Sequence, residues 1–534
     1  MAIKYTEEQL NKLDKAALIQ LFLSTQEQLA SIDKKLQLVL EQLASANHNR
    51  FGRSSEKLDT DHQIAFKEVD NQIVFFNEAE AVVNLDEAYY EEENTKLKPR
   101  KRKGKREEDL KDLPIIKINH TMTDVELQKE FGENSWKQLP DEVYKRYKFT
   151  PAKVEVEEHH VAVYASKKDN HMIKAKHPGY LLRNSLVSPS LEAAILNGKY
   201  VNAVPLYRLE KEFERYNIRI SRQDMANWTI LCADRYLAIL YDYLHKQMYD
   251  YHVLQADETP VLVNKDGRPA GSKSYMWVYR TGKMYKDKPI VLYDYQQTRN
   301  TSHPREFLKD FKGVCVTDGY QVYHSLEKER EDLTIAGCWA HARRKYDEAV
   351  KALPKKEQKN SLAYLALKQI QAIYREENQL SELSPEDRLR HRQVSVKPLV
   401  EAYFAWTKEH IGKVLSKSKT WGGFNYSINQ EKYLKTFLDN GEVPIDNNAA
   451  EQSIRSFCIG KKNWVMIDTI NGAKSSAIIY SLAETAKANN LKPYNYFEYL
   501  LTEIPKHLDD KDLSFCEDLL PWSPNLPAEC RKST

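Results

Sequence analysis

The chain has 534 residues, too many for one hydrophobic core, and its length predicts three or four domains. A hydrophobic fraction of 41% suits globular folding, and no apolar run approaches the roughly 20 residues that cross a bilayer, so no membrane partner is expected. The net charge of +3 hides a strong local contrast: residues 78–93 read EAEAVVNLDEAYYEEE and residues 96–106 read KLKPRKRKGKR. The N-terminus, MAIKYTEEQLNKLDK, lacks the basic-then-apolar pattern of a secretory signal, which predicts a cytoplasmic protein. Six cysteines (Cys232, Cys315, Cys338, Cys458, Cys516 and Cys530) form no CxxC pair, so they read as reduced thiols and make a zinc site unexpected.

Residues 5–45 predict a helix, in which Phe22, Thr25, Leu29, Ile32, Leu36, Val39 and Leu43 alternate spacings of three and four. That is a coiled-coil seam, able to pair with another helix or to pack on its own domain. The N-terminal helical segment is placed at 1–58 and ends in the basic turn Phe51–Lys57, with Arg53 a candidate DNA contact. A charged linker follows at 59–108, with a short apolar patch at 73–76. Its basic block, including Lys101, Arg102 and Lys103, either neutralises DNA phosphates or is a solvated tether. Alternating stretches at 153–157 and 161–164 predict a small β-rich module within 109–180. His159, His160, His171 and His177 lie in or near it without a regular ligand spacing.

Helix returns at 185–248. Ser188 can cap a helix opened by Pro189, a second helix is expected at 206–215, and Ser221 with Asp224 outlines a capped third. Helix, short turn and capped helix is the helix-turn-helix outline, shared by many helical hairpins. It would set Arg222, Gln223 and Asn227 where base or phosphate contacts are made. From 250 the pattern changes to strands at 252–257, 274–280, 289–295, 313–318 and 333–338, the last leading into a helix that carries His341, Arg343 and Arg344. Three strands, then a fourth and fifth with helices, is the order of an RNase H-like sheet. The fold class predicted is therefore multidomain α+β. An RNase H-like α/β core at 250–346 and 443–480 is interrupted by a helical insertion at 347–442, and a C-terminal helical element follows at 481–534.

Asp257 and Asp318 each close an apolar strand, and the first and fourth strands of this order lie side by side and parallel. Two carboxylates brought so close repel unless they share a cation. A helix opened by Asp446 or Asn447 would add Glu451 one turn in, completing a site for two Mg²⁺ or Mn²⁺ ions that serve in-line phosphoryl transfer. Asp446 is the rival third ligand, and alternation aims Glu258 at the other face. His341, Arg343, Arg344, Arg455, Lys461 and Lys462 are candidate phosphate contacts. Arg455 could equally be an ion-pair partner, and Trp464 either stacks on a flipped base or fills a core.

At these residues the chain resembles the DDE transposases of the insertion sequence 66 family. The resemblance is carried in order by Phe51-Gly-Arg-Ser-Ser-Glu-Lys57, Gln255-Ala-Asp257-Glu-Thr-Pro260, Thr317-Asp318-Gly-Tyr-Gln-Val-Tyr323 and Cys338-Trp-Ala-His-Ala-Arg-Arg344. It continues through Asp446-Asn-Asn-Ala-Ala-Glu451, Gly460-Lys-Lys-Asn-Trp464 and the stretch 483–493. It implies catalytic Asp257, Asp318 and Glu451, binding to terminal inverted repeats of double-stranded DNA, and cleavage and joining of strands. It also implies small companion proteins from the same element, and a homo-oligomer, at least a dimer, is expected on DNA. One departure is that the stretch corresponding to the family's Cys-rich zinc-binding module, about 109–175, holds no cysteine, which leaves a β-rich remainder. A catalytically inactive DNA-binding regulator and an RNase H-like nuclease without joining activity are the competing readings.

Overall fold

The computed structural model describes residues 179–183, 185–269 and 271–532, with shorter stretches nearer the N-terminus: parts of 15–32, the segments 66–69, 72–75, 155–165 and 172–174, and residue 129. Arg53, Lys101, Arg102, Lys103, His171 and His177 lie outside the described residues.

The chain divides into two compact units. One combines Val82–Gly179 with residues 533–534, the other Met1–Ala81 with Tyr180–Lys532. In the smaller unit, Val163–Ala165 pairs antiparallel with Met172–Lys174, Tyr164 opposite Ile173. The strand expected at 153–157 is not seen: the described residues 155–162 carry no strand, and His159 and His160 stand exposed beside Glu157 and Glu158. In the larger unit the described residues of 15–32 are helical, with Phe22, Leu29 and Ile32 of the predicted seam exposed. The apolar patch in the expected linker is a hairpin strand, Gln72–Phe75 pairing antiparallel with Phe66–Val69.

The helices expected before the sheet form as their caps require. Helix α1 (Pro189–Leu196) starts at Ser188, whose hydroxyl accepts the Leu191 N–H at 3.2 Å. Helix α2 covers Leu206–Arg215. Helix α3 (Arg222–Cys232) starts at Ser221, which accepts the Asp224 N–H at 3.1 Å. Arg222, Gln223 and Asn227 are exposed on α3. Helix α4 (Ala238–Met248) leads to the sheet.

The main sheet holds β1 (Val253–Lys265), β2 (Lys273–Thr281), β3 (Val291–Gln296), β4 (Gly313–Thr317) and β5 (Leu333–Gly337), in the spatial order β3-β2-β1-β4-β5. The first three are antiparallel neighbours, while β1–β4 and β4–β5 are parallel. A short β6 (Ile467–Thr469) pairs parallel with the far end of β1. Alternation along the strands feeds two cores. Leu254, Ala256, Cys315 and Ile335 face one with α4 and a helix α11 (Ile470–Ala488). Val253, Val314, Val316 and Ala336 face the other.

That second core is covered by the insertion expected at 347–442. Helix α5 (Gln321–Glu329) links β4 to β5, and α6 (Trp339–Lys351) leaves β5. The insertion's larger helices are α7 (Leu362–Gln379), α8 (Lys397–His410) and α9 (Lys419–Asn429). Helix α10 (Asn448–Trp464) then returns to the sheet. The helical stretch that follows is two helices, α11 and α12 (Pro493–Glu503), broken at Asn490, whose φ is 57°.

Candidate active site

The β1–β4 register is Val253↔Val314, Leu254↔Cys315 and Gln255↔Val316. Two residues further along each strand stand Asp257 and Asp318, so both occupy equivalent positions on parallel neighbours. The expectation that Asp257 ends its strand is corrected: β1 runs on to Lys265, and only its pairing with β4 stops before Asp257. The Asp318 carboxylate accepts the Tyr320 N–H at 2.9 Å, and its carbonyl accepts the Tyr426 hydroxyl at 3.0 Å. The Asp257 carboxylate accepts the Glu258 N–H at 2.9 Å.

Glu451 lies in the first turn of α10, and its N–H reaches the Asn447 carbonyl. The start of this helix is tied to β1 by polar groups. Asn447, fully buried, donates its side-chain amide to the Ala256 carbonyl at 2.8 Å and accepts from the Gln255 amide at 3.2 Å. Gln255 also donates to the Asp446 carbonyl at 3.2 Å and accepts the Lys283 N–H at 2.9 Å. Asp446, the rival third ligand, is spent on the helix start: it accepts from the backbone N–H and the side-chain amide of Asn448 at 3.2 and 3.0 Å, and from the Tyr374 hydroxyl. Arg280 of β2 donates to the Ala449 carbonyl at 3.1 Å and holds the helix from below.

The three acids interact electrostatically. Burial, then the carboxylates of Glu258, Asp318 and Glu451, push the Asp257 carboxyl well above the usual range. One Glu451 oxygen takes an Arg344 hydrogen bond at 3.1 Å. The other is buried without a hydrogen bond and faces His341 Nδ1 at 3.6 Å. Burial lowers the His341 pKa, against the pull of Glu451. His341 and Arg344 therefore stand against the acid itself. Lys461 donates to the Pro260 carbonyl at 2.7 Å, while Arg455 and Lys462 are exposed and Arg343 is partly buried.

Among the described residues, Cys338, His341 and Glu451 have ligand atoms within 4.8 Å of one another. The Cys338 sulfur is already engaged, accepting the backbone N–H groups of Asn447 and His341, and burial pushes its thiol up, which keeps it protonated. That leaves the His341 nitrogen and the Glu451 carboxylate of this group, and Asp257 and Asp318 add carboxylate oxygen, which fits a hard divalent cation better than zinc.

Sequence reasoning missed a second acidic position. Glu258 points to the opposite face, as alternation requires, yet lies close enough to Asp318 to feel its charge. Burial and Asp318 push it up to about 7, opposed by Arg299. Arg299 pairs with it at 2.8 Å through Nε and sits 3.7 Å over the Tyr320 ring. The signal for Gln255 was present, since residues 255 and 257 share a face. Nothing in the sequence marks Arg299.

A mixed sheet whose parallel centre strands present two aspartates, with a glutamate brought in by a later helix, defines an α+β protein with a half-buried acidic site. The sequence model of the Transposase IS66 family matches residues 184–475, that of the IS66 C-terminal element residues 481–522, and that of the Transposase C of IS166 homeodomain residues 39–118. The chain belongs to the Transposase IS66 family. The last of these matches spans the whole of the stretch 59–108 expected to be a linker. Among similar proteins is Uncharacterized protein y4qI of Sinorhizobium fredii, 29% identical over 370 residues and 67% of each chain. Uncharacterized protein y4jD of the same organism is 27% identical over 363 residues, covering 66% of this chain and 70% of its own. No described helix is long and apolar enough to cross a membrane.

Proposed function

We propose that the chain is the DNA transposase of an insertion sequence, binding terminal inverted repeats as an oligomer and cutting and joining strands at an RNase H-like site made of Asp257, Asp318 and Glu451. The observation that carries this reading is the matched register of Asp257 and Asp318 on parallel neighbours, with Glu451 close enough to raise the Asp257 pKa.

The three carboxylates would hold Mg²⁺ or Mn²⁺, two ions in all. Divalent ions bound there supply activation of an attacking water or 3′-hydroxyl and neutralise charge on the leaving oxygen. The protein's own part is positioning. Asn447 and Gln255 fix the α10 start against β1. Tyr320 and Tyr426 fix the Asp318 turn. Arg344 holds Glu451 by a hydrogen bond, with His341 beside the other oxygen at 3.6 Å. Arg222, Gln223 and Asn227 on α3, with the basic block at 96–106, bind duplex DNA, and small companion proteins of the same element assist in the cytoplasm.

A strand-transfer assay with a labelled donor end tests this. Asp257→Asn and Glu451→Gln are expected to reduce joined product by about 10³-fold or more while DNA affinity changes little, because they remove charge stabilisation at the reacting phosphate. Joining that continues unchanged in Asp257→Asn would refute the site. Cleavage without joined product would point to a nuclease.

A further inference from the structure

Helix α10 does more than deliver Glu451. Asn448, Gln452, Arg455, Ile459 and Lys462 are exposed at alternating spacings of four and three, which is one continuous face of α10 that starts beside Glu451. It carries Arg455 and Lys462 and no carboxylate. The nearest acid beyond it, Asp468, is neutralised by Lys265 at 2.6 Å.

The face ends in an apolar tip on a strained turn. Val465 has φ 65° and ψ −53°, and the Met466 N–H closes onto the Trp464 carbonyl at 2.7 Å. This is a γ-turn of the rare, strained hand, and a β-branched residue at its centre is a genuine outlier. Such geometry persists only where the surroundings impose it, and it concentrates at ligand clamps. Here the surroundings are visible. The Val465 N–H is held by the Lys461 carbonyl at 2.7 Å, and the Trp464 ring packs edge-on against Phe457 at 5.5 Å. Gly460 lets this anchor close: a Cβ there would meet the Tyr480 hydroxyl at 2.3 Å and Trp464 Nε1 at 3.0 Å. The anchored turn nevertheless leaves Val465 59% and Met466 48% exposed, and Met466 lines one small pocket with the exposed Leu262.

We propose that this face of α10 docks along a DNA duplex and that Val465 and Met466 enter its base stack as an apolar wedge. The inference rests on the transposase reading and adds to it a place where the duplex is deformed. The rise of a helix puts the tip about 20 Å from Glu451, which is roughly six base pairs of duplex from the reacting phosphate. The cations along the face hold the backbone, and the unstacked step lets the duplex bend onto the protein. Duplex DNA is the occupant because the helix face that leads to the apolar tip carries two cations and no carboxylate.

The test uses the full chain in an Asp257→Asn background, so that the duplex stays uncut. The probe is a set of 40-base-pair duplexes carrying the terminal sequence of the chain's own element, with 2-aminopurine placed singly at successive positions from the 3′-hydroxyl. Anisotropy reads binding and 2-aminopurine fluorescence reads unstacking. Fluorescence is expected to rise at least about twofold near the sixth position and stay flat elsewhere. Val465→Gly with Met466→Ser should abolish the rise and change Kd by less than about tenfold, since phosphate contacts supply most of the affinity. Glycine relieves the positive φ, so this variant keeps its fold. Arg455→Gln with Lys462→Gln should weaken binding and reduce the salt slope by about two. A bound duplex that brightens nowhere, or brightening that survives the wedge variant, overturns the wedge and leaves DNA binding standing. Absence of binding sinks both readings. A wedge variant that dissociates a dimer without altering the fluorescence makes the tip a self-contact and also overturns the proposal.

Discussion

The carboxyl of Glu192 shows what burial does to one residue far from the strand ends. It is fully buried on α1, where one oxygen accepts the Thr229 hydroxyl at 2.9 Å and the other has no partner. Burial pushes its pKa up to about 8, against the Thr229 hydrogen bond and the charge of Lys199. The folded chain therefore keeps this proton where the unfolded chain has lost it. Stability from this group is complete below the unfolded carboxylate range near 4.5 and is lost as pH climbs to about 8. The shift corresponds to at most roughly 5 kcal/mol. Glu192→Gln keeps the acceptor for Thr229 and removes the ionisation. Denaturant melts at pH 5 and pH 8 should show the variant more stable than the parent at pH 8 by about 2–4 kcal/mol, with the gap closing at pH 5. A gap independent of pH would mean that the carboxyl is not the titrating group. At this scale the sequence discloses residue types and not partners. Asp257 and Asp318 were legible because each closes an apolar run. Asn447 was legible only as a helix start, and its reach to the Ala256 carbonyl, 191 positions away, is a tertiary fact.

Elements were more legible than their ends. Helix α2 has its expected bounds, and the strand order with parallel β1 and β4 is as the pattern implied. The length of β1 was not, because the apolar run closes at Asp257 and Pro260 follows in a polar stretch. The strand continues because residues 256–262 form an open edge between the pairings to β4 and β6, where a missing N–H costs nothing. The charged insertion also hid its own scaffold, since charge runs normally read as solvated faces. Arg392 is fully buried and pairs with Glu377 through Nε at 3.1 and 3.0 Å. It donates to the carbonyls of Phe437, Asn440 and Val443 at 2.6, 2.7 and 2.9 Å. Arg388 adds the Gly441 carbonyl at 2.7 Å. Gly441 is required there, since a Cβ would lie 1.9 Å from the Pro385 carbonyl oxygen. These cations staple residues 437–443, the run that delivers Asn447 and Glu451 to the sheet. Arg392→Leu strands the buried Glu377 charge and should cost about 3–5 kcal/mol in denaturant melts. Adding Glu377→Leu should recover part of that loss. A double variant as unstable as the sum of the two singles would show that the pair is not coupled.

For the chain as a whole, charge sets how DNA would be held under the proposed function. The total of +3 gives little long-range attraction, so affinity has to come from local concentrations of cations. The densest is residues 96–106, with eight Lys and Arg, preceded at 78–93 by seven Asp and Glu. From far away the two runs nearly cancel. Within a screening length of about 8 Å in physiological salt, each acts alone. A polyanion that meets the basic run therefore releases counterions in proportion to the phosphates neutralised, and the logarithm of the binding constant falls with that of salt by about 0.9 for each. Replacing Lys101, Arg102 and Lys103 by Gln should flatten that slope by up to about 2.7 in fluorescence-anisotropy titrations across a salt series. Affinity at low salt should drop with it, and the drop should be the same for specific and random duplexes, because phosphate contacts carry no sequence information. An unaltered slope would make the block a tether and move the electrostatic burden to the exposed cations of α3 and α10. Arg222→Gln or Lys462→Gln would then have to show the loss instead.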